Sequence, residues 1–301
     1  MMRFVVISDL HLQIPSYYDI KTVYKLHHLE NNTETENLLK SLSDSIVAKQ
    51  RLCLEELCEN IIRLEPGLLF ITGDIFDSTY VARIHDYENL NYDLRGLFKQ
   101  FLQTITENCI QVFIIPGNHD IANEEFWSYF SNEFDEFSVK IISSNKNSFL
   151  SYPFEDNGVH FMFYLLPYIR NGGSTRDDNK EMFEDYLKFN FTFLWDSSSI
   201  NILFAHQFIN TYDIFYKSTF FDDREDTINV DLLKKFRLVF LGHYHNVSKF
   251  FPYDGRIYVP GQAMVHDNTF NTNLAGGCLV DTFLDTSNKV VFTIRYINFH
   301  L

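Results

Sequence analysis

The 301-residue sequence predicts an α/β protein in which two mixed β-sheets pack together with helices outside them. Short runs that are apolar at every position recur along the chain, and such runs are typical of strands covered on both faces. Helical patterns separate several of these runs. In two other segments, 139–166 and 247–296, apolar and polar residues alternate instead. These segments are rich in Val, Ile, Phe and Tyr, which favours antiparallel strands and hairpins.

Five of the predicted strands end abruptly in polar residues. They span 4–7, 68–71, 112–115, 202–205 and 238–241. The strand ends are followed within three residues by Asp9, Asp74, Asn118, His206 and His243, respectively. Loops at the carboxyl ends of strands are where α/β proteins build their active sites, so these clusters are predicted to form one site.

Helical spacing predicts three helices. Apolar residues mostly three, four or seven positions apart indicate the first over 38–64, which Pro66-Gly67 ends. The second is expected over 90–105 and the third around 181–189. Residues 13–35 are polar and without a pattern, and are predicted to form a surface insertion.

Composition limits the classes of function. The balance of 25 Lys and Arg against 40 Asp and Glu gives a net charge of −15, which argues against a protein that grips nucleic acid or an anionic membrane through overall charge. It does not exclude a local site. The four cysteines form no CxxC pair, and the first apolar run is far too short for a signal peptide. We therefore expect a cytoplasmic protein with no membrane partner.

Five of the eleven histidines lie in the polar clusters, together with several carboxylates. Pairs two residues apart, such as Asp9 and His11 or His243 and His245, point the same way from an extended segment, so both side chains can reach one point. Imidazole and carboxylate ligands together suit Mn, Fe or Zn better than Ca or Mg alone. One bridging carboxylate among such groups is what a pair of divalent ions requires.

In chain order, the motifs are DxH at 9–11, GDxxD at 73–77, GNHD at 117–120, a histidine at 206 and GHxH at 242–245. Together they resemble the calcineurin-like metallophosphoesterase superfamily. The resemblance implies a four-layer αββα sandwich of two mixed sheets flanked by helices, with a phosphoester-hydrolysing site for two metal ions. It also implies that 1–301 is a single catalytic domain, and no separate capping domain is evident.

The resemblance further assigns roles to individual residues. Asp74 would bridge the metals; Asp9, His11 and His245 would complete the first site, and Asn118, His206 and His243 the second. His119 would face the scissile phosphate, as proton donor to the leaving oxygen or as stabiliser of the transition state, oriented by Asp120. Asp77 would hold a ligand or a strand end. His266 and Asp267 are candidates either for the substrate cleft or for a plain loop.

Within the superfamily, the chain most resembles the SbcD-type nuclease subunit of double-strand-break repair complexes, including its phage relatives. The resemblance rests on 8–12, 73–78, 242–245 and the Tyr258-Val259-Pro260-Gly261 sequence. It implies manganese-dependent exonuclease and endonuclease action on DNA, a homodimer, and an SMC-like ATPase partner. Fe, Zn or Mg remain alternatives to manganese.

Two alternative functions stay open. A small-molecule phosphodiesterase or a protein phosphatase of the same superfamily would share every metal ligand. A catalytically silent scaffold could keep the fold, although the intact set of ligand residues speaks against it. The acidity of the chain favours either a nuclease that depends on a partner or a hydrolase of something smaller.

Overall fold

The structure of the protein is a computed structural model. It describes residues 2–13, 33–77, 94–122, 124–134, 139–142, 149–169, 176–209, 227–245, 248–250, 256–264 and 276–299. The strands in these ranges are β1 Arg3–Ile7, β2 Leu68–Thr72, β3 Gln111–Ile115, β4 Val139–Ile141, β5 Leu150–Asp156, β6 Val159–Leu166, β7 Ile200–His206, β8 Phe208–Ile209, β9 Thr227–Ile228, β10 Leu238–Gly242, β11 Ser248–Phe250, β12 Ile257–Val259, β13 Gly276–Leu284 and β14 Val290–Asn298. The helices are α1 Thr33–Arg63, α2 Leu94–Glu107, α3 Glu124–Glu133, α4 Arg176–Phe193 and α5 Val230–Leu233.

Two mixed six-stranded sheets form the centre of the molecule. The first has the order β14-β13-β1-β2-β3-β4, in which β1 to β4 run parallel, β13 is antiparallel to β1, and β14 is antiparallel to β13. The second has the order β11-β12-β10-β7-β6-β5, in which β12, β10, β7 and β6 are parallel while β11 and β5 run against their neighbours. A short parallel pair, β8 and β9, stands apart from both sheets.

The alternation of side chains along β1 shows how the layers form. Phe4 and Val6 point into the core between the sheets, whereas Val5 and Ile7 face the helices on the outer side. Between the sheets, the Phe70 and Phe204 rings stack with their centroids 3.8 Å apart and their planes 7° apart. Eight of the 18 buried residues described between the sheets are aromatic, and this interior joins the sheets face to face.

The helices cover the outer faces of the sheets. Buried side chains of α1, α2 and α3 pack on the first sheet, among them Leu57, Phe98 and Trp127. Buried residues of α4 and α5, such as Leu187 and Leu233, pack on the second sheet. The result is the predicted αββα sandwich, because each sheet buries one face against the other sheet and one against helices.

Several element predictions need correction. The antiparallel pairs β5–β6, β11–β12 and β13–β14 confirm the antiparallel strands predicted for 139–166 and 247–296, but β4 also pairs in parallel with β3, and β12 in parallel with β10. Pairing in these places depends on which strand is nearest in space, and strand periodicity carries no information on that. The first helix already begins at Thr33, inside the predicted insertion. Residues 14–32 of that insertion lie outside the described residues. In the described part of the chain, no helix is both long and apolar enough to cross a membrane.

Candidate metal centre

The structure brings the polar clusters together at one edge of the sandwich. This follows from the topology, since β1, β2 and β3 run parallel in one sheet and β7 and β10 run parallel in the other, so their carboxyl ends meet. Three overlapping groups have ligand atoms within 4.8 Å of one another. They are Asp9, His11 and His245; His11, Asp74 and His119; and Asp74, His206 and His243.

The first half of the site contains Asp9, His11 and His245. The Nε2 atoms of the two histidines lie 3.1 Å apart, and each lies 3.7 Å from Oδ1 of Asp9. Asp9 is fully buried, whereas the side chain of His245 is 54% exposed. This half therefore opens toward solvent at His245.

The second half contains Asn118, His206 and His243. Nδ1 of His206 lies 2.6 Å from the main-chain oxygen of Thr72, which accepts its hydrogen bond. That bond leaves Nε2 of His206 pointing to Oδ1 of Asn118 at 3.1 Å. A histidine whose other nitrogen is fixed in this way presents one defined nitrogen to a metal ion.

Asp74 lies between the two halves. Its Oδ2 is 3.2 Å from Nε2 of His206 and 3.8 Å from Nε2 of His11, and its Oδ1 accepts a hydrogen bond from the backbone N–H of His119 at 2.9 Å. One carboxylate thus contacts residues of both halves, as the bridging role predicted for it requires.

Four of the site residues have unusual backbone conformations. Asp9, His11, Asp74 and His243 have positive φ angles of 56°, 47°, 53° and 79°. Residues other than glycine rarely adopt such angles, and these conformations concentrate at functional sites where the surrounding structure enforces them. The turns that follow the strands are therefore strained in a way that points these side chains at one another.

Two motif glycines permit the close approach of the loops. A Cβ at Gly117 would collide with the carboxylate of Asp74. A Cβ at Gly242 would collide with the main-chain oxygen of Thr72 and lie 2.6 Å from Nδ1 of His206. The glycines of GNHD and GHxH are thus explained by packing against ligand residues.

The electrostatics of the site balance buried carboxylates against histidines. Burial opposes the charge on Asp74, but His206, His119 and His11 outweigh it and hold the pKa of this carboxyl well below its usual value. Burial would lower the pKa of His206, yet Asp74 and Asp9, together with the Thr72 hydrogen bond, raise it to about 9. The pKa of Asp9 is also lowered, because His11, His206 and His245 outweigh its burial.

These residues fit divalent cations. Oδ1 of Asp9 is fully buried and has no hydrogen-bond partner, although the ring nitrogens of His11 and His245 lie close to it. A buried carboxylate oxygen without a partner is costly unless a cation completes it. The donor set of imidazole nitrogens, carboxylates and one amide oxygen suits a pair of divalent ions.

The acid that contacts the His119 imidazole is Asp77 and not Asp120, which was predicted to orient it. The oxygens of Asp120 accept backbone N–H bonds from Ile75, Phe76 and Gly117 at 2.9–3.0 Å, so Asp120 ties two loops together. Asp77, whose Oδ2 lies 3.5 Å from Nδ1 of His119, is the acid that contacts this imidazole. The sequence favoured Asp120 because it directly follows His119, whereas Asp77 belongs to the separate GDxxD motif at 73–77.

Burial would lower the pKa of His119, but the hydrogen bond to Asp77 and the charges of Asp74, Asp77 and Asp120 raise it to about 9. For Asp120, burial and the charge of Asp74 raise the pKa to about 6 despite the three backbone donors. Asp120 is thus still ionised at neutral pH.

Sequence reasoning missed two aromatic residues beside the second half. The rings of Tyr168 and His243 are 5.9 Å apart, and those of Phe208 and His243 are 3.8 Å apart. Both aromatics lie close to strand ends, but no motif distinguishes them from core residues. His266 and Asp267, the candidates for the substrate cleft, lie outside the described residues.

Comparison with known proteins gives one family match and several structural neighbours. A family model described as "Calcineurin-like phosphoesterase" matches residues 2–247. A dimetal phosphatase from Danio rerio has 11% identity and a TM-score of 0.48, with 99% of this chain and 99% of that chain covered. Vps29 from Entamoeba histolytica, as a single mutant, has 9% identity and a TM-score of 0.31, covering 99% and 100% of the two chains.

Proposed function

Because this chain belongs to the calcineurin-like phosphoesterase family, we propose that it hydrolyses phosphodiester bonds with the help of two divalent cations and that its substrate is DNA. The observation that carries the proposal is the position of Asp74 between two sets of histidine and carboxylate ligands. In a two-metal site, a pair of cations stabilises both the attacking and the leaving oxygen of one phosphate, and this arrangement of ligands could hold such a pair.

The residues divide the task between them. Asp9, His11 and His245 would hold one cation, Asn118, His206 and His243 the other, and Asp74 would contact both. When bound, the cations neutralise the phosphate and supply an activated water as nucleophile. Burial of Asp9 and His206 keeps solvent from competing for their ligand atoms.

His119 is suited to protonate the leaving oxygen. Its side chain is 30% exposed, so a substrate can reach it, and Asp77 contacts its Nδ1. In the metal-free protein its pKa of about 9 keeps the imidazole protonated at neutral pH. One of the carboxylates that raise this pKa, Asp74, would also hold the cations, and their charge would offset part of the rise in the pKa of His119.

The choice of DNA and manganese rests on the resemblance to SbcD-type nucleases in 8–12, 73–78 and 258–261. Mixed imidazole and carboxylate ligands are compatible with Mn, Fe or Zn. With a net charge of −15, the protein is not built to attract DNA over long range. We therefore propose that it works as a homodimer with an SMC-like ATPase that contributes DNA affinity.

A hydrolase of a smaller phosphodiester is the second candidate, and the same net charge of −15 favours it. Such a substrate needs only the local positive charge of the two cations. The two candidate functions therefore share the chemistry of the two-cation site. They differ in whether substrate binding also needs positive charge outside that site.

The test uses the full chain, stripped of metal and reloaded with Mn²⁺. Cleavage of linear duplex, single-stranded and hairpin DNA is measured beside cleavage of bis-p-nitrophenyl phosphate, with and without a candidate ATPase. Asp74→Asn is the inactive variant, and Asp185→Asn, an exposed α4 residue that pairs with Lys188, is the matched control. Cleavage of the small diester without any DNA cleavage would refute the nuclease, and inactivity on all substrates would refute the hydrolase and favour a scaffold.

A further inference from the structure

The ring of Phe208 lies directly against the imidazole of His243. Their centroids are 3.8 Å apart and the ring planes meet at 55°, which is the tightest ring contact described for His243. Phe208 is half-buried and also meets the ring of Tyr244 at 4.9 Å, with the planes 72° apart. His243, which is expected to bind a cation, therefore packs against the ring of Phe208, and that ring packs in turn against Tyr244.

The backbone on both sides of Phe208 is anchored. Before it, the fully buried Gln207 donates from Nε2 to the main-chain oxygen of Ile169 at 3.1 Å. After it, the N–H of Ile209 donates to the Tyr244 hydroxyl at 2.8 Å, and Ile209 pairs with Ile228 in the β8–β9 ladder. The main chain at Phe208 is therefore held by hydrogen bonds that do not involve the side chain of His243.

The main chain of His243 is fixed, and the orientation of its imidazole depends on the groups that pack against the ring. Its φ of 79° and the hydrogen bond from its N–H to Oδ2 of Asp9, at 3.2 Å, fix the main chain. Neither of them fixes the rotation of the imidazole. Metal-binding histidines are commonly oriented by a group behind the ring, as Thr72 orients His206 by accepting a hydrogen bond.

We propose that Phe208 is a positioning residue, whose ring sets the orientation of the His243 imidazole and with it the cation affinity of the half-site of Asn118, His206 and His243. This inference rests on the two-cation centre proposed above. It adds a determinant that no metal-ligand motif contains, contributed by the short β8–β9 pair outside the two main sheets.

The test measures cation binding to the metal-free full chain by calorimetric titration with Mn²⁺, independently of activity. Phe208→Leu keeps an apolar side chain but removes the flat ring, and should weaken one of the two binding events about tenfold, at the low end of the effect of groups that orient metal ligands. Phe208→Tyr keeps the ring and should stay within about twofold of the wild type on the same reasoning. Phe189→Leu, at an α4 residue that is 66% exposed and stacks on Phe193, is the matched control.

The visible absorption of the Co²⁺-loaded variants gives a second measurement, because it responds to ligand geometry, and thermal unfolding verifies that each variant folds. If Phe208→Leu does not fold, the comparison of Phe208→Met with Phe208→Tyr replaces it. Wild-type affinity at both sites in the Leu or Met variant, equal weakening of both sites, or equal weakening by Tyr and Leu would each overturn the inference. Wild-type protein that fails to bind two cations would instead refute the centre itself.

Discussion

Replacing Asp77 by Asn tests whether this acid controls the proton on His119. The substitution keeps the shape of the side chain and removes the carboxylate, whose Oδ2 lies 3.5 Å from Nδ1 of His119. Burial opposes the imidazolium, yet the pKa of His119 rises from 6.5 to about 9. Such a shift corresponds to roughly 3 kcal/mol in favour of the protonated ring. This free energy comes from the hydrogen bond and charge of Asp77 together with the charges of Asp74 and Asp120. We therefore assign roughly 1–2 kcal/mol of it to Asp77, which corresponds to about one pKa unit.

The assay is the pH dependence of kcat/KM for bis-p-nitrophenyl phosphate in wild type and Asp77→Asn, with the histidine titration followed by NMR in the metal-free protein. A proton donor is available only below its pKa, so the basic limb of the profile should move to lower pH by about one unit in the variant. Bound cations shift both proteins alike, and the difference between them is the quantity tested. Both cations should remain bound. Loss of a cation would show that Asp77 is a ligand, and an unchanged pH profile would refute its control of His119.

The remaining predictions concern the cations and pH. His119→Ala should retain both cations while kcat falls about 10²–10⁴-fold, the usual contribution of a proton donor; elemental analysis that finds a metal missing would contradict this role. Asp74→Asn should weaken both cation sites together, because its carboxylate contacts residues of both halves, and calorimetry that detects selective loss of one ion would argue against bridging. In the metal-free protein, the pKa of His206 is raised from 6.5 to about 9. The protonated ring therefore contributes fully to the free energy of unfolding below pH 6.5, and this contribution is lost as the pH rises through 9. His119, whose pKa is also raised to about 9, loses its stabilisation over the same interval, so each of the two histidines contributes a decrease of roughly 3 kcal/mol in the free energy of unfolding measured with denaturant. A flat or rising profile would refute the raised pKa values of both histidines.

Much of the fold could be predicted because burial on both faces leaves a direct trace in the sequence. The runs at 68–71 and 238–241 are apolar at every position, and they form β2 and β10 with every residue buried. Helix ends were less accurate: the helix predicted over 90–105 continues to Glu107 in α2, and 90–93 lie outside the described residues. The periodicity of apolar residues therefore predicts whether a segment is a helix or a strand more reliably than it predicts the first and last residues of that element.

The pairing of strands could not be predicted in the same way. Val139–Ile141 and Ile257–Val259 carry ordinary strand patterns, and nothing in those patterns indicates that each joins a parallel neighbour distant in sequence. The partner is chosen by how the helices and loops between the strands pack, which is a property of the whole chain.

By itself, the sequence determined which residue types stand at the ends of the strands, because buried strands must be apolar and a cation site needs carboxylate and imidazole groups where they stop. It thereby specified Asp9, Asp74 and His206 as candidate ligands. Only the tertiary structure decided that Asp77 rather than Asp120 contacts His119, and that Phe208 supports His243. Those contacts depend on distances of a few ångströms between loops from separate strands, and spacing along the chain does not encode such distances.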